Sequence, residues 1–300
     1  MFTGARAGVM TVAIAAAMLT AAASPLVPTR VWAQASVAAE RDISRIGDYV
    51  ARYYERAQSL VADEAVAVQP LGRDLVAVGF PRRLLYELRV EWNPNPVGDD
   101  SPATITRRLV TVNGRPPGPK DEPKCLDPKN ESPEPLGFLL PDRRVKFTFT
   151  SAGVGRINGR PAVMVDYRSL KPEPPPKATI DEKDKDCIMF DLPGRSRGRV
   201  WADPTSGEIL RLDEQLTGMV DVPLPRKQQR MNLPIYWTIE RADSSMVYRP
   251  VSFSDPEETI VLPSRVDTVT VISGGGVQRM RITQTFSNYR RFITGTRVVQ

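Results

Sequence analysis

The sequence contains no histidine, and this absence excludes several kinds of catalytic site. Ser-His-Asp and Cys-His nucleophilic systems need an imidazole as their base, and many zinc sites use it as a ligand. Carboxylates, lysine and tyrosine are the acid–base groups that remain. We expect a non-enzymatic protein that holds no metal and no cofactor.

Two patterns that resemble catalytic motifs are better explained as ordinary structure. Residues 194–198, Gly-Arg-Ser-Arg-Gly, match the G-x-S-x-G hydrolase elbow. That elbow needs a strand before it and a helix after it, whereas here a loop with proline precedes the motif and a predicted strand follows. Two of Asp166, Glu208, Asp213 and Glu240 could form a glycosidase-like pair, but outward-facing strand positions are the simpler interpretation.

Long apolar runs are also absent, apart from one at the N-terminus. Arg6 precedes an alanine-rich apolar stretch, and Ala33-Gln34-Ala35 supplies the small residues that signal peptidase recognises. We predict a signal peptide over residues 1–35, cleaved after Ala35, and a periplasmic or secreted protein that begins at Ser36. The alternative is an uncleaved membrane anchor.

The sequence has only two cysteines, Cys125 and Cys187. An even pair in an exported protein predicts a disulfide, and two free thiols are the alternative. Each cysteine lies in a long polar loop, at 113–140 and 171–196. The bond would tie the two loops together, and their proline and charge content predicts partial disorder.

The net charge is +6, but the arginines are spread along the chain. They are more typical of solvated strand faces than of a nucleic-acid surface, and we expect no nucleic-acid partner. A peripheral contact with a membrane is left open. The arginine pairs are Arg82-Arg83, Arg107-Arg108, Arg143-Arg144 and Arg290-Arg291.

One amphipathic helix is predicted, from Ala39 to about Ala62. Its apolar residues recur at steps of three and four, which places them on one face that must be covered. They are Ile43, Ile46, Val50, Tyr53, Ala57 and Leu60.

The rest of the sequence predicts about nine to eleven strands joined mainly by short turns. Asn158-Gly159 and residues 203–207 are typical hairpin turns. Residues 235–242 and 245–253 are interpreted as one strand pair, and the strands at 259–272 and 277–289 as another. Short turns favour antiparallel pairing. The predicted fold is mostly β (α+β), a curved antiparallel sheet or half-open β-barrel that wraps the N-terminal helix, in a single domain over 36–300.

The aromatic residues most simply build the core of this sheet. If the sheet is open, part of its inner face would line a cavity for a hydrophobic ligand. The residues chosen as lining are Phe147, Phe149, Trp201 and Trp237.

The hairpin at 198–211 resembles one common in periplasmic lipoprotein-carrier-like (LolA/LolB-like) proteins, and residues 283–292 are similar to the ends of exported bacterial proteins of that kind. The resemblance implies a half-open β-barrel with an apolar cavity for acyl chains. The expected function is binding of a lipid or of a lipidated partner. The alternative is an envelope module with a filled core, whose two long loops contact a protein partner.

Overall fold

The computed structural model describes residues 29–57, 59–92, 103–121, 125–128, 135–170, 174–180, 187–225, 235–274 and 277–291. Most of the predicted signal peptide therefore lies outside the described residues. The backbone of the first helix begins at Thr29 and runs across the predicted cleavage position. No helix within the described part of the chain is both long and apolar enough to cross a membrane.

Helix α1 spans Thr29–Arg56, and its predicted apolar face is buried. The predicted C-terminal end is wrong, because the chain leaves the helix at Ala57 and strand β1 covers Ser59–Pro70. Burial in β1 alternates residue by residue. Leu60 fits both the helical and the strand period, which explains why the sequence pattern extended the helix too far.

Thirteen strands and two short 3-10 helices follow α1 in the described residues. The 3-10 helices are η1 (Leu136–Leu139) and η2 (Arg144–Lys146). After β1 the strands are β2 (Arg82–Trp92), β3 (Ala103–Val112), β4 (Phe147–Ile157), β5 (Arg160–Ser169), β6 (Lys177–Ile180), β7 (Ile188–Asp191), β8 (Ser196–Ala202), β9 (Ile209–Leu216), β10 (Val220–Pro223), β11 (Tyr236–Ser254), β12 (Glu257–Ser273) and β13 (Val277–Arg291).

Eleven of these strands form one antiparallel sheet in the order β3-β2-β1-β13-β12-β11-β9-β8-β5-β4, with β10 paired to β11. Within the described residues β3 and β4 are its outer strands, so the sheet is not closed. Together with α1 this confirms the predicted mostly-β fold. Strands β6 and β7 form a separate small sheet inside the loop predicted at 171–196.

The hairpin predictions are confirmed at Asn158-Gly159, where both residues have positive φ, and at the turn between β8 and β9. The prediction of two strands over 235–253 is wrong. Strand β11 runs without a break and pairs with β12 from Thr238 to Ser254. Asp243 and Ser244, placed at the predicted turn, instead stay in the ladder. The two register shifts lie on either side of them, between Ile239 and Arg241 and between Val247 and Tyr248.

The main core lies between α1, η1 and the inner face of the sheet. Its fully buried side chains come from all three: Val50, Leu139, Val165, Val200 and Leu262. Part of the polar loop predicted at 113–140 is therefore core. Gly47 permits the close approach, because a Cβ there would lie 2.8 Å from the carbonyl oxygen of Leu139.

The outer face of the sheet carries arginine–carboxylate pairs two residues apart on the same strand. These arginines lie on solvated strand faces, whereas Arg107, from one of the arginine pairs in the sequence, is buried. The pairs are Glu87–Arg89, Arg211–Asp213, Arg241–Asp243 and Arg265–Asp267.

One ion pair is buried on the inner face. The Glu64 side chain is fully buried, and the Arg107 side chain is 4% exposed. Arg107 Nε donates to Glu64 Oε2 at 2.6 Å, and Gln284 Nε2 donates to the other carboxylate oxygen at 2.7 Å. The three side chains belong to β1, β3 and β13. Their hydrogen bonds therefore link these strands across β2, which lies between β3 and β1.

We predict that Arg107→Met lowers the free energy of unfolding by about 3–5 kcal/mol, because it leaves a buried carboxylate without its cation. Adding Glu64→Gln should restore most of the loss, since the neutral amide can still bond Gln284. Urea unfolding at pH 7 measures both variants. An equal loss in the single and double variants would contradict this account. Arg89→Met, which removes an exposed pair, is the control.

Candidate functional site

Four aromatic side chains meet at the edge of the sheet formed by β4, and we call them the aromatic cluster: Phe138, Phe147, Phe149 and Tyr167. Phe138 comes from η1, the next two from β4 and the last from β5. The ring of Phe138 lies 5.1 Å from that of Phe147 and 4.5 Å from that of Tyr167. The three phenylalanines are only half-buried, although they pack against the main core.

Helix α1 lies against β4, β5 and η1, so it is the element that covers this part of the inner face. Strand β4 has one paired neighbour, β5, in the described sheet. Helix α1 therefore covers the part of the inner face that carries the aromatic cluster, and the cluster is open toward the sheet edge at β4. This geometry leaves apolar ring surface in water, which a ligand could cover.

The structure brings together only two of the four residues predicted as lining. Phe147 and Phe149 lie in the aromatic cluster, with ring centres 6.4 Å apart. Trp201 lies on the opposite face of the sheet, because its neighbours Val200 and Ala202 point into the main core. There its ring stacks with Arg199 and Arg211, at 5.7 and 5.0 Å.

Trp237 lies elsewhere, at the start of β11. Its ring is 5.9 Å from that of Phe190 on β7 and belongs to the region where the small sheet packs on the large one. Phe138 is not among the predicted lining residues, because it lies in the loop at 113–140 that was predicted to be polar. The apolar run Leu136-Gly137-Phe138-Leu139-Leu140 was the signal that could have revealed it.

A partly buried carboxyl group lies next to the aromatic cluster. Tyr167 Oη donates to Glu214 Oε2 at 2.9 Å. Burial raises the pKa of Glu214 above its ordinary value of 4.5, and hydrogen bonds from Tyr167 and Ser196 offset only part of that rise. Burial and the same carboxylate also raise the pKa of Tyr167. Gly198 makes room for the pair, since a Cβ there would lie 2.6 Å from Tyr167 Oη.

Three of the four carboxylates considered for a glycosidase-like pair are held by arginines: Arg199 binds Asp166, Arg160 binds Glu208 and Arg211 binds Asp213. The fourth, Glu240, is exposed on β11. Ser196 of the G-x-S-x-G match opens strand β8 and contacts Ser169 on β5, with no helix after it. Neither arrangement has the geometry of its catalytic motif.

Two further expectations concern covalent and metal chemistry. Cys125 and Cys187 form the predicted disulfide, which joins the loop after β3 to the start of β7. Among the described residues, no group of three or more histidine, cysteine or acidic side chains is arranged to hold a metal ion.

We predict that Glu214→Gln makes stability less dependent on pH. In the wild type, the folded state retains the Glu214 proton above pH 4.5, where the unfolded state has lost it. The wild type therefore loses stability as pH rises from 4.5 through the raised pKa. The variant should gain stability relative to the wild type over that interval. Urea unfolding from pH 4.5 to 8 tests this, with Glu240→Gln as the charge control. A difference that does not grow with pH would contradict it.

No family model and no curated protein matches the sequence. Several solved structures are similar to this chain over most of their own length. A protein described as an outer membrane lipoprotein-sorting protein domain from Vibrio parahaemolyticus has 9% identity and a TM-score of 0.39, covering 86% of this chain and 95% of that one. A DUF1329 family protein from Desulfovibrio piger has 10% identity and a TM-score of 0.37, with the same coverages.

A LolA superfamily protein from Nitrosomonas europaea has 7% identity and a TM-score of 0.33, covering 85% of this chain and 96% of that one. The solved structures similar to this chain thus include proteins described as lipoprotein-sorting and LolA-superfamily proteins.

Proposed function

We propose that this is an exported, non-enzymatic protein that binds an acyl chain, from a lipid or from a lipidated partner, against the aromatic cluster. The observation that carries the proposal is the half-buried state of Phe138, Phe147 and Phe149 beside the outer strand β4. Folding leaves part of their ring surface exposed, and an apolar chain along β4 would bury it.

The energetic gain grows with the length of chain that contacts the aromatic cluster. Each methylene removed from water contributes about 0.8 kcal/mol. Contact with the rings over five methylenes would contribute about 4 kcal/mol before the entropic cost of ordering the chain. Five methylenes alone would not offset the cost of association, so tight binding needs additional apolar surface.

That additional surface lies under α1 and η1. The core beneath them is filled, with Val50 and Leu139 fully buried. A longer chain would therefore enter by displacing η1, and with it Phe138, from β4. In this proposal η1 acts as a cover over the inner face, and the acyl chain takes its place.

Cationic side chains next to Phe147 suit an anionic headgroup. Arg143, Arg144 and Lys146 belong to the segment that leads into β4. Lys146 is exposed and makes no ion pair with a described residue. Val145 between them is 68% exposed, which adds apolar surface at the same end of β4.

The disulfide supports an oxidising compartment, in line with the proposed signal peptide. A periplasmic or secreted protein would encounter lipids and lipidated proteins at a membrane surface. Cleavage after Ala35 would leave residues 36–56 of α1, including all of its buried side chains from Ala39 onward.

A filled core favours a second candidate, an envelope module that binds a protein. In that case the disulfide-linked segments around Cys125 and Cys187 would form the partner surface. Asp127 beside them is held by Arg82 with its side chain 2% exposed, so this surface is anchored to the sheet.

We predict that wild-type protein binds the fluorescent fatty acid cis-parinaric acid, and that Phe147→Gln with Phe149→Gln weakens binding at least tenfold. Trp201→Gln makes the same chemical change on the outer face and should leave the affinity unchanged. Fluorescence titration measures all three, with circular dichroism to verify folding. No binding by the wild type, or equal losses in both variants, would contradict acyl binding at the aromatic cluster and favour the protein-binding module.

A further inference from the structure

Strands β9 and β11 separate from each other and leave a cleft between them. Their pairing runs from Ser244↔Glu214 to Val247↔Arg211 and ends there. Beyond that point β11 continues with β12, while β9 stays with β8 through a bulge at Leu210. The turn between β4 and β5 closes the far side. The resulting cleft has a volume of about 310 Å³.

The floor of this cleft is apolar and its rim is cationic. Leu210 and Tyr248, 3% and 4% exposed, are the buried side chains that line it. Two arginines lie at the rim, Arg160 and Arg249. The other lining residues are Ile157, Asn158 and Pro250.

The two arginines differ in what they already bind. Arg160 Nη1 donates to Glu208 Oε1 at 2.8 Å, and its other terminal nitrogen lies 3.6 Å from Asp203 Oδ2. These acidic neighbours raise the pKa of Arg160 and hold its side chain in place. Arg249 is exposed and makes no ion pair with a described residue. It is the cation that a ligand can engage.

We propose that this cleft binds a small amphipathic anion, with its anionic group on Arg249 and its short apolar body against Leu210 and Tyr248. The volume lies at the lower end of the range for small-molecule sites, so the ligand is short. A carboxylate and a phosphate monoester share this chemistry. The cleft is distinct from the aromatic cluster, and neither Phe147 nor Phe149 lines it.

The pairing pattern places the cleft where β9 and β11 part. The register between these two strands ends at Val247↔Arg211, and the exposed Arg249 lies two residues beyond it on β11. The rigid Arg160–Glu208 pair keeps the opposite wall in position.

The test is isothermal titration of the full-length mature protein with octanoate, octyl phosphate and octanol. We expect the two anions to bind and octanol to bind at least tenfold more weakly. Arg249→Gln should weaken octanoate and octyl phosphate by at least tenfold. Arg73→Gln, at an exposed arginine on the β1–β2 loop, should change neither affinity. The ratio of the two anion affinities tells which head group the cleft prefers.

The outcomes separate this site from the acyl-binding site. Loss of octanoate binding in Phe147→Gln/Phe149→Gln but not in Arg249→Gln would overturn the cleft proposal and leave the aromatic cluster as the site. Equal losses in Arg249→Gln and Arg73→Gln would indicate charge attraction alone and would also overturn it. No binding of either anion at millimolar concentration would exclude the cleft, whatever the result with cis-parinaric acid.

Discussion

The structure depends on covering the inner face of one large open sheet. Ten of its strands follow one another in a single antiparallel path, and their inward side chains need an apolar partner. The described chain offers α1 and η1 for that purpose. The packing of α1 on this face therefore determines where the core is complete and where it remains open.

Coverage is complete at the centre and incomplete at β4. Val165 and Val200 are fully buried beneath the helix, whereas Phe147 and Phe149 on the outer strand stay half-buried. The exposed arginine–carboxylate pairs lie on the outer face. The buried Glu64–Arg107 pair lies on the inner face near the β3 edge, at the opposite end of the strand order from the aromatic cluster. The two proposed binding sites occur where regular pairing stops, at an outer strand and between two diverging strands.

The sequence predicted the fold class because period-two burial and strong turns are local signals. Asn158-Gly159 predicts a hairpin on its own, and Cys125 and Cys187 predict a disulfide once export is inferred. The site was less predictable. Trp201 and Phe149 look equivalent as strand aromatics, and only the register of each strand decides which face they occupy. The apolar run at 136–140 marks Phe138 as a core candidate, but its position beside β4 depends on the tertiary placement of that loop. The cleft depends on strand divergence, which no local pattern encodes.

The central claim is that the incompletely covered edge at β4 holds an acyl chain. Its most direct test is mass spectrometry of lipids extracted from protein purified without detergent from an exporting host, beside an exported protein of similar charge. The account predicts near-stoichiometric fatty acid or phospholipid in the wild type and much less in Phe147→Gln/Phe149→Gln. Lipid at the control level in folded, oxidised wild-type protein would contradict it.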